Sequence, residues 1–237
     1  MTKVLYCKLE LTDKGRYYDS PSEQYRTFST MSRIRERNRE RILEAAAIEF
    51  ADKGFAATKI IDIAKKVQLP KPNIYYYFQS KENLYRCVLE SIIEPLLEAS
   101  TPFATYDDPA AALQAYIHTK IRISKEHPHA SKVFASEIMH GAPYLPADIS
   151  DKLMQQTVST TARLNAWMDE GKMDRVDSHH LLFTIWASTQ TYADFDWQIG
   201  RVTGKKKLSK NDYQTAAELI TKMVLSGCGL TLPSNNH

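Results

Sequence analysis

The chain has 237 residues, 43% of them apolar, which is enough to bury a substantial core and excludes disorder throughout. Only eight glycines are spread over that length, and long stretches lack any turn cluster, so a sandwich or barrel of many short strands is excluded as well. A formal net charge of +3 is too small to identify a partner, which leaves its distribution along an all-α chain as the informative quantity.

Residues 1 to about 30 are polar, rich in Tyr and Ser and without sustained period; they read as a flexible N-terminal extension, with Met31 a second candidate start. The first helix is predicted from about Arg35 to Lys53, because Ile42, Ala46 and Phe50 recur on one face with Leu43 and Ala47 beside it. Gly54 supplies its stop, and Phe55 can fold back on the last turn. Thr58 is the expected N-cap of a short second helix through Val67, with Asp62 in its early turns. Gln68-Leu69-Pro70 then makes a turn, and a third short helix opens at Lys71-Pro72, where proline is acceptable in a first turn. Ser80 caps a long fourth helix to about Ala99, bent or ended near Pro95.

Past Thr101-Pro102 the predicted helices lengthen. Asp108-Pro109 opens one to about Glu126, and Pro128 starts another that ends near Gly141. Pro143 and Pro146 mark a loop before a helix of about 148–170, stopped by Gly171. Asp177 or Ser178 caps a helix that is apolar nearly all round through Ile199, and such a helix must be covered on every side. The last, capped by Ser209 with Asp212 three residues on, repeats Tyr213, Ala216, Ala217, Ile220 and Val224 and stops at Gly227. About nine helices result, with expected divisions at 1–30 (extension), 31–80 (three-helix head) and 81–237 (a larger helical domain).

Charge is concentrated in the head. From Met31 to Lys81 the chain carries eleven Lys/Arg against six Asp/Glu, an excess of five that exceeds the whole chain's +3 and leaves the remainder net acidic. A basic N-terminal third suits nucleic acid. No apolar run approaches the roughly 18 residues of a membrane span and no basic segment precedes an apolar stretch at the N-terminus, so a cytoplasmic protein without membrane contact is expected. Cys7, Cys87 and Cys228 lie far apart, and the pairs His127/His129 and His179/His180 have no ligand-spaced partners; neither a metal nor a cofactor is indicated. The chain has no nucleophile elbow, phosphate loop or nucleotide fingerprint, which argues against an all-α enzyme.

Two short helices joined by a tight turn form the helix-turn-helix plan, whose second helix enters the major groove. Here that helix offers Lys71, Pro72, Asn73, Tyr75, Tyr76 and Tyr77. Asn73 has donor and acceptor for a base edge, Lys71 a cation for guanine or phosphate, and tyrosine hydroxyls reach phosphates while their rings meet thymine methyls. Thr58 and Lys59 can present donors to a phosphate, and Lys81 can anchor the far side. Ile74 and Phe78, at i and i+4, are expected in the core, whereas three consecutive tyrosines cannot all be buried.

The run Arg41 to Lys81 resembles the N-terminal domain of the TetR family, on F-x-x-K-G-F at Phe50–Phe55 and Y-Y-Y-F-x-S-K-E-x-L-Y at Tyr75–Tyr85. Pro70 departs from it, standing where the family usually has a small hydroxyl residue. Within that family, Glu137–Pro143 and Ile185–Phe195 resemble the ligand domain of the pyrimidine-utilisation regulators. The resemblance implies a homodimer formed mainly by the last two helices, a palindromic operator, and release or altered grip when a pyrimidine base such as uracil or thymine binds inside the larger domain. From the residues alone, Trp186, Gln190 and Asp194 recur at i, i+4 and i+8, share one helix face, and can stack on and hydrogen-bond a flat heterocycle. Glu137, His140 and Arg122 are further candidates for that pocket. Competing effectors are a fatty-acid-like molecule or a cationic drug, and a competing class is an architectural DNA-binding protein without an effector.

Overall fold

The structure, a computed structural model, describes residues 21–233, with side chains described from residue 32 onward. Among them lie eleven helices and no strand: α1 (Pro21–Ala57), α2 (Ile60–Val67), α3 (Lys71–Phe78), α4 (Lys81–Ala99), α5 (Pro102–Thr105), α6 (Pro109–Glu126), α7 (Pro128–Met139), α8 (Ala147–Asp169), α9 (Ser178–Asp194), α10 (Asp196–Thr203) and α11 (Lys210–Gly227). No helix among the described residues is long and apolar enough to cross a membrane. Two compact units divide at Val88/Leu89, inside α4, where the composition places the boundary at 80/81.

In the first unit α1 begins at Pro21, well before the expected start near Arg35, so the last third of the anticipated extension is helical; residues 1–20 lie outside the described residues. The helix is interrupted at Gly54, whose φ of 74° and ψ of 168° suit a residue without a Cβ. The turn it makes brings Phe55 back against Phe50, with ring centroids 6.1 Å apart, and both rings pack on Tyr85 at 5.0 Å. Thr58 does not cap α2. The cap position is Lys59 without a side-chain bond, while the Thr58 hydroxyl donates to the Glu49 and Gly54 carbonyls at 3.0 and 2.8 Å. Glu49, itself buried, accepts from Lys53 at 2.7 Å and Lys66 at 2.8 Å, and these bonds hold its carboxyl below the usual range while tying α1 to α2.

In the second unit α6 is the central helix, packed on α11, α9, α5 and α7. Leu113 and Ile117 of α6, Leu182 and Ile185 of α9, and Leu164 and Trp167 of α8 are fully enclosed. Asp108 caps α6 through the amides of Ala110 and Ala111, and Asp177 caps α9 through those of His179 and His180. The capping box of Ser209 and Asp212 opens α11 as expected. Helix α4 continues through Pro95 rather than ending there. The single apolar helix expected through Ile199 is two: Phe195 leaves helical geometry (φ −111°, ψ 33°), and α10 restarts at Asp196, which Lys132 of α7 holds at 2.6 Å. This break and the four-residue α5 account for the difference from nine helices. Nor is the α9–α10 segment covered on every side within one chain, since Phe183, Phe195 and Trp197 are exposed.

Candidate DNA-reading face and effector site

The turn between α2 and α3 is built from backbone choices. Gln68 adopts the left-handed conformation (φ 57°) and closes α2, and Pro70, at φ −58° and ψ 143°, directs the chain into α3, where its carbonyl accepts from the Asn73 amide at 2.9 Å. Helix α3 therefore starts at Lys71 without the small hydroxyl cap, and Pro72 occupies its first turn. Ile74 and Phe78 are 1% exposed and plug α3 into the core, which fixes the opposite face outward. That face carries Lys71, Pro72, Asn73, Tyr75 and Tyr76, all exposed; Tyr77 is partly buried, its ring edge-on to Tyr76 at 5.2 Å. The Lys71 ammonium lies 5.7 Å from the Tyr75 ring centroid.

Three flanking residues take different positions from one another. Lys59 is exposed at the start of α2. Thr58 is 2% exposed and its hydroxyl and amide are both spent within the fold, so it is a tether rather than a phosphate donor. Lys81 is partly buried, donates a hydrogen bond to the Ala56 carbonyl at 3.2 Å and sits 4.6 Å from the Phe55 ring centroid. Sequence reasoning missed Arg41, whose guanidinium donates to the Val67 carbonyl at 2.8 Å and so fixes the C-terminus of α2, directly before the turn. An exposed arginine on a helix gives no sign of such a role.

In the larger domain the structure does bring Trp186, Gln190 and Asp194 together on the inward side of α9. The Trp186 indole N–H donates to the Tyr116 hydroxyl of α6 at 2.6 Å. Gln190 Nε2 donates to Asp194 Oδ1 at 2.9 Å and to Ser131 Oγ of α7 at 3.0 Å. Burial pushes the Asp194 carboxyl up, against the opposing influence of Gln190. Burial likewise pushes the Tyr116 phenol up to about 12. The result is a neutral phenol, an indole, an amide and a carboxyl along one line between α6, α7 and α9: flat surfaces to stack on, with donors and acceptors at the edge.

The other three candidates do not join this cluster. Glu137 is buried, and its carboxylate accepts the Tyr144 amide while its own carbonyl accepts from Ala142 at 2.9 Å; it closes the loop after α7. His140 is exposed at the C-cap of α7, its Nδ1 against the Ser136 carbonyl at 2.7 Å. Arg122 is exposed on the far side of α6, in an open groove of about 480 Å³ with Pro95, Glu98, Tyr106, Thr119 and Glu126. A basic or acidic side chain near a polar segment carries no mark of which face it will take. Tyr116 and Ser131 were missed; α6 signals the first, with Tyr116, Lys120 and Ser124 spaced at i, i+4 and i+8 as on α9, whereas Ser131 stands on α7 outside any such series.

Residues 42–88 match the family model for bacterial regulatory proteins of the tetR family, and residues 89–231 match that for the C-terminal region of YcdC-like proteins. The HTH-type transcriptional regulator RutR of Escherichia coli (strain K12) is 34% identical over 202 residues, covering 85% of this chain and 95% of that protein. Among solved structures, the ketosteroid transcriptional regulator KstR2 of Mycobacterium tuberculosis superposes with a TM-score of 0.67 at 21% identity, covering 80% of this chain and 94% of the other. AibR, in complex with isovaleryl coenzyme A and operator DNA, superposes at 0.59 and 17% identity, covering 78% and 97%. A reading head followed by a regulator-type C-terminal region describes a ligand-responsive DNA-binding protein and not an enzyme. The chain belongs to the TetR family of bacterial transcriptional regulators.

Proposed function

We propose that this chain is a repressor that binds a palindromic operator as a homodimer and responds to a pyrimidine base such as uracil or thymine. The observation that carries the effector reading is the bonded line of Trp186, Gln190 and Asp194 with Tyr116 and Ser131, whose donors and acceptors suit the alternating N–H and C=O groups of an imide ring. The likeness of Glu137–Pro143 and Ile185–Phe195 to pyrimidine-utilisation regulators supports the same chemistry. On the DNA side, α3 presents Lys71, Asn73 and Tyr76 outward from a fixed base, as a recognition helix must.

A thermal-shift titration tests the effector. A ligand at a hundred times its dissociation constant stabilises by about 2.7 kcal/mol, which for a chain of this size raises Tm by roughly 5–10 °C. Uracil or thymine should produce that shift and release the protein from operator DNA, with fatty acids and cationic dyes giving neither. A shift with only the controls discards the pyrimidine reading and leaves the regulator.

The homodimer reading rests on α9 and α11. Leu219 and Met223 are 55% and 66% exposed on α11, and Phe183 is exposed on α9; a groove of about 340 Å³ between Thr184, Ser188, Ile220 and Val224 adjoins them. Apolar surface of this kind on two adjacent helices is suited to a two-fold partner presenting the same face. Leu219→Glu combined with Met223→Glu should sediment as a folded monomer and lose operator binding; a stable dimer in that variant places the interface elsewhere.

A further inference from the structure

Lys120 occupies the middle of the α6 face that meets α9. One turn before it, Tyr116 accepts the Trp186 indole proton at 2.6 Å; one turn after it, Ser124 donates to the Thr189 carbonyl at 2.9 Å. Residues at i, i+4 and i+8 share a helix face, so Lys120 is directed at the stretch of α9 from Trp186 to Gln190. Arg122, two positions on and therefore about 200° round the helix, is exposed on the opposite side, whereas Lys120 is partly buried. Among the described residues Lys120 makes no hydrogen bond and no ion pair. Burial alone pushes its ammonium down to about 8, with no charged neighbour acting on it. The bonds of Gln190 and Asp194 are directed to each other and to Ser131.

A partly buried ammonium without a partner carries a desolvation cost that a methionine or leucine at the same place would avoid. Such groups are kept where something else supplies the missing charge. Along this line the Tyr116 phenol, the Trp186 indole and the Gln190 amide carry no charge, and the one carboxyl, Asp194, bonds Gln190 and exerts no influence on Lys120.

We propose that Lys120 is the residue that captures the effector, its ammonium donating to a ligand oxygen that bears full or partial negative charge while Gln190 and Asp194 meet the opposite edge of the ring. The identity of that oxygen rests on the pyrimidine reading, in which it is a ring carbonyl of the imide; the role of Lys120 does not. The class of ligand required is a small planar molecule with a carbonyl or carboxylate oxygen at one end, and a purely cationic drug is disfavoured because it would place two positive charges together.

The experiment compares the full chain with Lys120→Met, a substitution of similar length without charge, by thermal melting and by titration with uracil, benzoate and a fatty acid. The ligand-free variant should melt higher than the parent, and its affinity for the compound that shifts the parent should fall tenfold or more. Operator binding without ligand should be unchanged. If the parent responds to uracil and the variant responds equally, Lys120 is not the capturing group and the pyrimidine reading survives. If the parent ignores uracil but responds to a carboxylate, and the variant does not, the pyrimidine reading falls and Lys120 stands. A ligand-free variant that melts at or below the parent overturns the proposal with any ligand, since it would mean that the ammonium already has a stabilising partner.

Discussion

Alanine at both Lys71 and Asn73 should reduce binding to a specific operator by on the order of a hundredfold to ten-thousandfold, with Tm and oligomeric state unchanged. Both side chains are exposed on α3, and Ile74 and Phe78, which anchor the helix, are not altered. Truncation therefore removes contacts without loosening the fold. A good side-chain contact to a base edge is worth about 1–3 kcal/mol of discrimination, so two independent contacts lose about 2–6 kcal/mol together. The two residues can be separated by the form of the loss. Asn73→Ala should relax the preference at one base position of each half-site with little change in salt dependence. Lys71→Ala, if its cation meets phosphate, should weaken binding to every sequence and lower the slope of log affinity against log salt by about one per contact. The measurement is a fluorescence-anisotropy titration at several salt concentrations, on an operator selected from random DNA by the purified protein. A double variant that binds that operator as tightly as the parent takes these residues out of the readout and turns attention to Tyr75 and Tyr76.

The helices were legible because their periods and stops are local. Ile42, Ala46 and Phe50 define the buried face of α1 both as a pattern and in the folded chain, and Gly54, Asp108, Asp177 and Ser209 stand where backbone geometry or capping requires them. What failed depended on partners distant in sequence. Thr58 has the residue type of an N-cap, yet its hydroxyl lies within reach of two carbonyls of α1, those of Glu49 and Gly54, and bonds those instead. Phe195 fits an uninterrupted apolar period, and nothing in that period reveals that Lys132 of α7 will hold Asp196 at the start of a new helix.

The same distinction runs through the sites. The outward face of α3 was readable because Ile74 and Phe78 had to be buried at helical spacing, which leaves Lys71, Pro72, Asn73, Tyr75 and Tyr76 exposed. On α9, spacing placed Trp186, Gln190 and Asp194 on one face, but that this face is turned toward α6 and α7 comes only from the bonds to Tyr116 and Ser131. Glu137 shows the limit most clearly. As a carboxylate near a helix end it suits a ligand pocket as well as it suits solvent, and its actual place, capping a loop amide from inside, is decided by the turn around Gly141 and Ala142, both at positive φ.

Gln190→Leu should leave a regulator that holds its operator and no longer answers its effector. Gln190 is the centre of the line on α9, bonded at once to Ser131 and Asp194, and leucine has nearly its volume without its amide. The cost to the free protein is modest, because one hydrogen-bonding partner is removed and Ser131 and Asp194 lose about 1–2 kcal/mol of bonding between them. The cost to the complex is larger. A polar ring that must give up water to enter the site then finds an apolar group opposite its edge, and unpaired buried polar groups cost about 1–3 kcal/mol each on both sides; two such groups raise the dissociation constant by on the order of a thousandfold. Trp186→Ala is a poorer probe, since deleting a large aromatic from a packed position costs about 3–5 kcal/mol of stability by itself and orphans the Tyr116 hydroxyl. Isothermal titration with uracil, paired with operator binding in its presence and absence, separates the cases. An unchanged dissociation constant in Gln190→Leu would put the ligand outside the α6–α7–α9 line and make the open groove at Arg122 the next place to look.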